Sequence, residues 1–243
     1  MNLTIDIGNT RTKWALMEAG EIRANGTQPS GTPLSLPNTE VDAAIVCVTG
    51  NISSEMLQLP TPHTYHLSAS TPLPIALRYE SPETLGPDRI AAACGAWRIL
   101  PKGTSALIVD AGTCITVDYL DAQGCYCGGA IMPGLEMKFR ALHTFTAKLP
   151  LLTLSDAADN VVTGGTTQQS ISAGVITASR FAIAGFARHY LQKDSKLQLI
   201  FTGGDGALLM AGRELQGLQC QLVPELVMIG LDAIAEKITN EIY

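Results

Sequence analysis

A short motif that occurs twice constrains the fold more than any other feature of this sequence. Segments 3–10 and 107–113 read LTIDIGNT and LIVDAGT. Each copy is an apolar strand followed by Asp, one further residue, Gly, and a Thr within two positions. Internal repeats of this kind indicate duplicated structural units. We therefore predict two related halves, 1–103 and 104–243.

Strands and helices are predicted around both copies. Residues 1–25 are predicted to form a β-meander of Asn2–Ile7, Lys13–Met17 and a return strand that begins at Ala19-Gly20. The other predicted strands are Ala43–Thr49, Ala106–Val109, Ile115–Leu120, Leu197–Phe201 and Cys220–Val223. The predicted helices are Asp88–Leu100, 135–148, 167–191, a short helix ending at Met210, and 226–239. Residues 26–40, rich in Pro, Gly, Ser and Thr, predict a surface loop. Strands followed by helices favour an α/β fold.

Charge and composition exclude several classes of protein. The net charge is −6, whereas a nucleic-acid-binding surface needs clustered Lys and Arg. The N-terminus lacks the basic and apolar regions of a signal peptide, and no uninterrupted apolar run approaches the ~20 residues of a membrane-spanning helix. The six cysteines include no CxxC pair, which predicts reduced thiols. We expect a cytoplasmic protein that binds neither nucleic acid nor membrane.

The first copy of the motif is typical of a phosphate-binding turn. Its glycine lets backbone N–H groups approach phosphate oxygens, because no Cβ stands in the way. A carboxylate beside phosphate indicates a divalent cation, usually water-bridged Mg²⁺, between the two anions. A plain hairpin turn is the alternative. The candidate ATP-binding residues here are Asp6, Ile7, Gly8, Asn9, Thr10, Arg11, Thr12 and Lys13.

The second copy and a later glycine pair extend this interpretation. Two such hairpins can face each other across a cleft that holds the triphosphate of ATP. Gly203 and Gly204 follow a predicted strand and precede a helix, where they permit adenine or ribose to pass close to the backbone. The order phosphate, phosphate, adenosine resembles that of the acetate/sugar kinase, heat-shock-70 and actin superfamily. That resemblance implies two ribonuclease-H-like halves, mixed sheets flanked by helices, and a nucleotide cleft between the halves.

The segment between the two copies of the motif points to one family within this superfamily. Residues 79–89 read YESPETLGPDR, which resembles the pantothenate-binding signature of type III pantothenate kinases. Arg89 can pair with a substrate carboxylate, and Asp88 can accept a proton from a hydroxyl that attacks the γ-phosphate. The alternative is that Asp88 only caps the helix and that Arg89 lies on its exposed first turn.

The resemblance to this family extends over nearly the whole chain and implies a role for each matching position. Asp6 to Lys13 and Thr113 would contact ATP, and Asp110 would hold a monovalent cation, K⁺ or ammonium. The implied pantothenate-binding residues are Tyr79, Gly86, Pro87, Asp88, Arg89 and Thr167, with Asp88 as the proton acceptor. A homodimer is implied too, with helices 135–148 and 167–191 as candidate contact faces. Ser81 and Thr166 each stand where the family usually has Asn.

The sequence thus predicts ATP-dependent phosphorylation of pantothenate to 4′-phosphopantothenate, the first step of coenzyme A biosynthesis. One alternative is another kinase or phosphatase of the same superfamily, acting on a sugar, acetate or polyphosphate. The other is a catalytically silent relative that binds nucleotide and regulates transcription. The absence of a Walker A sequence excludes a P-loop kinase.

Overall fold

The chain forms two compact units. The computed structural model describes residues 1–50, 59, 61 and 63–242. The first unit comprises Met1–Lys102, Gly124–Cys127 and Glu225–Tyr243, and the second comprises Gly103–Gln123 and Gly128–Pro224.

The secondary structure is mixed throughout. The strands are β1 Asn2–Ile7, β2 Arg11–Glu18, β3 Glu21–Pro29, β4 Ala43–Val48, β5 Thr64–His66, β6 Ala76–Leu77, β7 Ala106–Ala111, β8 Cys114–Leu120, β9 Cys125–Pro133, β10 Gln198–Thr202 and β11 Cys220–Leu222. The helices are α1 Pro87–Ile99, α2 Leu135–Thr144, α3 Thr167–Ser172, α4 Ala178–Leu191, α5 Gly206–Met210 and α6 Leu226–Ile242. A π-helical stretch, Ala173–Thr177, joins α3 to α4, and Pro82–Thr84 and Arg213–Leu215 are 3₁₀ turns.

The two units share one strand arrangement. In the first unit the sheet order is β3-β2-β1-β4-β5, with β1 antiparallel to β2 and parallel to β4. The second sheet has six strands in the order β6-β9-β8-β7-β10-β11, with β7 antiparallel to β8 and parallel to β10, and the two-residue β6 parallel to β9. If β1 to β5 and β7 to β11 are each numbered one to five along the chain, both sets lie in the order 3-2-1-4-5. This is the mixed sheet of a ribonuclease-H-like fold. The prediction of an α/β protein with this architecture is confirmed.

Apolar side chains of the two first strands build the cores. In β1, Leu3 and Ile5 are fully buried, and all of β7 from Ala106 to Val109 is fully buried. Strands covered on both faces read as continuous apolar runs, because neither face meets water. Helices α2 to α4 pack their apolar residues against the β7 sheet in the second unit.

Helices α1 and α6 pack together in the first unit at unusually close range. A Cβ added to Gly230 would lie 1.7 Å from the carbonyl oxygen of Ala91, and one added to Gly95 would lie 2.2 Å from that of Leu226. The two backbones can therefore meet only where neither residue has a side chain. This contact explains why 225–243, placed by the sequence in a second half of 104–243, clusters with the first unit. Along the chain, the first boundary between the two units falls between Lys102 and Gly103, one residue before the predicted boundary between 103 and 104.

The predicted elements agree with the structure except at particular places. Residues 26–29, predicted as loop, continue β3, whose residues alternate between exposed and half-buried. A polar strand with little buried surface has no apolar alternation by which sequence could reveal it. Helix α2 ends at Thr144, short of residue 148. The long strand β9, Cys125–Pro133, and the short strands β5 and β6 were not predicted.

One helix in the described part of the chain, Thr167–Leu191, is long and apolar enough to cross a membrane by length and composition alone. Of its most apolar window, 56% is buried inside the protein. A core helix passes the same test, so this helix is weak support for a membrane span.

Substitution of Gly230 tests the close helix contact. Gly230→Ala should lower the free energy of unfolding by about 3 kcal/mol or more, because a methyl group there overlaps a backbone carbonyl. Gly185→Ala is the matched control, since Gly185 is an exposed α4 residue with nothing within 4 Å of the added Cβ. That change should be neutral or stabilise by up to ~1 kcal/mol. Thermal and urea unfolding measure both, and equal stability of the two variants would contradict the packing described.

Candidate active site

The turn between β1 and β2 is held in shape by backbone hydrogen bonds. Gly8 N–H donates to the Arg11 carbonyl at 3.0 Å, and Ile7 lies opposite Thr12, so residues 8–11 form the turn. The Gly8 carbonyl accepts a hydrogen bond from Ser30 Oγ at 2.7 Å. The first candidate phosphate turn is therefore a fixed structure in the first unit.

Gly50 supports this turn from the end of β4. Its N–H donates to the Ile7 carbonyl at 3.0 Å, and a Cβ there would lie 2.3 Å from the Gly8 carbonyl oxygen. Ser30 and Gly50 were not among the predicted site residues. Gly50 could have been predicted from its position just after a buried parallel strand, because the ends of parallel strands meet at one edge of the sheet.

The candidate substrate segment begins α1. Gly86 is the N-cap, Pro87 is the first helical residue and Asp88 is the second. The Arg89 N–H donates to Asp88 Oδ1 at 2.9 Å, and a Cβ on Gly86 would lie 2.5 Å from that oxygen. The carboxylate thus lies over the first turn of the helix, where the helix dipole favours its negative charge. Glycine at position 86 leaves room for it.

A tyrosine that the sequence analysis missed joins two predicted substrate residues. Tyr126 is fully buried, and the Arg89 Cζ lies 5.9 Å from the centroid of its ring. The ring of Tyr79 lies 6.1 Å from that of Tyr126, tilted by 54°. Only 6% of Arg89 is exposed, so it is not the exposed first-turn residue of the alternative interpretation. Tyr126 lies between two cysteines in β9, and no motif of the sequence marks it as a site residue.

The second hairpin turn, in the second unit, is shorter than the first. Gly112 N–H donates to the Cys114 carbonyl at 2.9 Å, and Ala111 lies opposite Ile115, so only residues 112–114 form the turn. Among the described residues nothing lies within 4 Å of a Cβ added to Gly112. The space over this glycine is open, so a phosphate oxygen can come close to the turn, although the Gly112 N–H itself is already bonded within the hairpin.

Two glycine loops close on this second hairpin. Gly134 N–H donates to the Thr113 carbonyl at 3.1 Å. Gly203 has φ +83°, and a Cβ there would lie 2.4 Å from the Ala111 carbonyl oxygen and 2.5 Å from Asp110 Oδ1. The Asp205 N–H donates to the same Ala111 carbonyl at 2.9 Å. The structure thus brings the predicted cation-binding Asp110 and the predicted adenosine loop together within the second unit.

Asp205 adds a second carboxyl group to this edge of the sheet. Burial raises the pKa of Asp205, and the negative charge of Glu136 raises the pKa further. A cation beside such a carboxylate would be stabilised by it, and oxygen ligands suit hard cations. Asp110 and Asp205 therefore fit the chemistry of a K⁺ or Mg²⁺ site. Sequence analysis noted the Gly-Gly-Asp-Gly segment without selecting Asp205.

Thr167 lies at the start of α3 in the second unit. Thr166 is the N-cap, and its Oγ1 accepts a hydrogen bond from the Gln169 N–H at 3.2 Å. Thr166 thus has a capping role in which Asn would serve equally well. Thr167 is exposed, and its hydroxyl is available at a helix N-terminus.

The fold places the protein in the actin-like ATPase class, which contains many small-molecule kinases. A Campylobacter jejuni structure assigned to the Baf family of transcriptional activators has a TM-score of 0.61 and 21% identity, covering 98% of this chain and 99% of that one. A Listeria monocytogenes structure assigned as an N-acetylmannosamine kinase has a TM-score of 0.55 and 16% identity, covering 100% and 99%. At these identities the likeness shows the fold alone.

Sequence comparison defines the family within this class. The family model for type III pantothenate kinase matches residues 2–189. A type III pantothenate kinase of Phocaeicola vulgatus is 36% identical over 214 residues, which are 84% of this chain and 86% of the relative. That of Cytophaga hutchinsonii is 34% identical over 236 residues, which are 96% and 98%. The chain belongs to the type III pantothenate kinase family, as its motifs predicted.

Paired glycine substitutions test the loop beside Asp110. Gly203→Ala should destabilise the second unit by at least ~1–3 kcal/mol, because its φ disfavours a side chain and the new Cβ overlaps Ala111 and Asp110. Gly204→Ala should leave stability unchanged, since nothing among the described residues lies within 4 Å of its Cβ. Thermal unfolding compares the two, and an unaffected Gly203→Ala variant would refute the described turn.

Proposed function

We propose that this protein transfers the γ-phosphate of ATP to pantothenate, giving 4′-phosphopantothenate and ADP, the first step of coenzyme A biosynthesis. The observation that carries the proposal is Arg89, a buried guanidinium beside the aromatic ring of Tyr126 and directly next to Asp88 in sequence. A cation buried in this way suits the carboxylate of pantothenate, whereas an exposed arginine would be screened by water. Family membership supports the same substrate.

The chemistry follows from the two adjacent side chains on α1. Arg89 binds the substrate carboxylate, with Tyr79, Gly86 and Pro87 around the rest of pantothenate and Thr167 as a further contact. Asp88 accepts the proton of the primary hydroxyl as its oxygen attacks the γ-phosphorus in line. The new oxygen–phosphorus bond forms as the bond to the β–γ bridging oxygen breaks, and ADP leaves.

The glycine turns supply the contacts to ATP. The Gly8 and Gly112 N–H groups already donate to the Arg11 and Cys114 carbonyls, so other backbone N–H groups of the two turns would approach the phosphates, and Thr113 adds a hydroxyl. The remaining proposed ATP contacts are Asp6, Ile7, Asn9, Thr10, Arg11, Thr12 and Lys13 for phosphate, and Gly203 and Gly204 for adenosine. Magnesium would offset the charge of the triphosphate, and K⁺ or ammonium at Asp110 would remove the repulsion between that carboxylate and phosphate.

Two other functions are compatible with the fold but use these residues poorly. A kinase of a neutral sugar or a polyphosphatase has no substrate carboxylate for Arg89 to bind. An acetate kinase transfers phosphate to the carboxylate itself, which has no hydroxyl proton for Asp88 to accept. A silent regulator of transcription, the function suggested by the name of one similar structure, needs nucleotide binding but no proton acceptor. The presence of Asp88, Arg89 and Asp110 together therefore favours the kinase.

A coupled ADP assay tests the reaction. ADP release should depend on added pantothenate and should fall when K⁺ is replaced by Na⁺. Asp88→Asn should reduce kcat by at least ~100-fold, the usual scale for losing a positioned base. Asparagine preserves the hydrogen bond accepted from the Arg89 N–H, so the thermal unfolding temperature should not fall. ADP release without pantothenate, or an equally active Asp88→Asn enzyme, would refute the mechanism.

We also propose a cytoplasmic homodimer. Support comes from large apolar side chains left exposed in the second unit, at or near the helices expected to form the contact: Met137 is 41% exposed, Phe145 is 85% exposed and Phe181 is 49% exposed. Isolated exposed apolar residues are common, but several on one unit favour a contact surface.

Sedimentation velocity tests the assembly. The native chain should sediment as a dimer at micromolar concentration, and Phe145→Ser with Phe181→Ser should shift it towards monomer, because apolar surface no longer gains from burial. Glu18→Ser, an exposed change in the first unit, is the control and should leave the dimer intact. A monomeric native chain would contradict the proposal.

A further inference from the structure

A long irregular segment of the second unit leads into the candidate substrate residue Thr167. Residues 145–166 contain neither helix nor strand, and segments of this length inside a compact domain usually have a function. The helical residues that follow hold this segment. Ala158 N–H donates to Ser172 Oγ at 3.0 Å, and Thr177 Oγ1 donates to the Val161 carbonyl at 2.7 Å. The conformation before Thr167 is therefore set by side chains of the helix after it.

Arg180 makes the charged contact of this set. Its side chain is 0% exposed, and its Nη1 donates to Asp159 Oδ1 at 2.7 Å. Its Nη2 donates to the Leu208 carbonyl at 2.6 Å. The Nε atom is buried and has no hydrogen-bond partner among the described residues. A Cβ on Gly212 would lie 2.3 Å from Arg180 Cδ, so a glycine is needed where the side chain passes.

The two contacts lead to the two candidate binding loops of this unit. Asp159 lies in the 145–166 segment, which ends at Thr166 and Thr167. Leu208 lies in α5, which begins directly after the Gly203–Asp205 turn. That turn is bonded to the end of β7 beside Asp110 through the Asp205 N–H. One guanidinium group thus joins the approach to a proposed substrate residue with the proposed nucleotide loop.

The ion pair persists at neutral pH. Burial alone would raise the pKa of Asp159, but hydrogen bonds from Arg180 and from the Asn160 backbone outweigh burial and lower the pKa. Its carboxylate is therefore ionised throughout the range in which a kinase acts. The Asp159 side chain is 47% exposed, so its attraction to Arg180 is screened by water and contributes little to stability. Stability by itself is a poor reason for a fully buried arginine at this position.

We propose that Arg180 is a positioning residue, which fixes the segment before Thr167 relative to the nucleotide loop at Gly203 to Asp205. This inference rests on the proposed function for its kinetic consequence, and on geometry alone for its structural consequence. Arginine suits the task because its planar fork presents donors in two directions. A lysine ammonium has the charge but cannot reproduce both contacts in that geometry.

Arg180→Lys, with Arg188→Lys as the matched control, tests the role. Arg188 lies on the same helix, is exposed, and donates to the Glu214 carbonyl at 3.0 Å. Arg180→Lys should lower kcat/KM for pantothenate and for ATP by about 10- to 100-fold, since small misplacements of reacting groups have effects of that size. Arg188→Lys should retain native kinetics. Kinetics are compared at a temperature where both variants are fully folded.

Hydrogen–deuterium exchange separates failure of this role from failure of the proposed reaction. In Arg180→Lys, exchange should rise together in residues 153–166 and 203–210, whether or not the protein phosphorylates pantothenate, and Arg188→Lys should change neither. A rise in only one segment, or in neither, would overturn the proposal. So would a fully folded Arg180→Lys enzyme with native kcat and KM values when the native chain is active. A native chain that releases no ADP refutes the reaction alone.

Discussion

The hydrogen bond from the Asp205 N–H to the Ala111 carbonyl is the contact on which the second unit's candidate site depends. It joins the end of one parallel strand, β7, to the loop that leaves its neighbour, β10. Because Gly203 is glycine with positive φ, the loop can turn at once and lie against Asp110. A carboxylate, an open glycine turn and an exposed Gly204 are thereby held at one strand edge. The first unit repeats this with Ile7, whose carbonyl accepts hydrogen bonds from the residues after β4.

Much of this architecture could be predicted, because the duplicated motif marks the strand that begins each sheet. Apolar runs such as 106–109 and 43–47 are buried on both faces, and a continuous apolar run indicates such burial. The strands that were missed lack this signal. β5 and β6 are only three and two residues long, the extension of β3 is polar, and β9 contains two consecutive glycines and ends in proline. The pairing of β5 and β6 depends on partners distant in sequence, which no local pattern shows.

The residues of the candidate site also differ in whether a local sequence pattern marks them. Motif residues such as Asp88, Arg89 and Asp110 were identified because glycines and charges at fixed spacing point to their chemistry. The residues that hold these side chains in place were not identified from the sequence. Tyr126 packs on Arg89 from a strand that returns to the first unit, and Arg180 reaches Asp159 and Leu208 from the middle of an apolar helix. Such supporting residues are defined by contacts across the fold, and their sequence neighbourhoods look like ordinary core.

The glycine contact between α1 and α6 has a consequence for synthesis on the ribosome. The first unit needs α6 to pack against α1, so its packing waits until this helix has left the exit tunnel. The second unit, completed at Pro224, can fold earlier, although its chain begins later. Until α6 is made, the amino-terminal sheet presents an unfinished surface to which chaperones can bind.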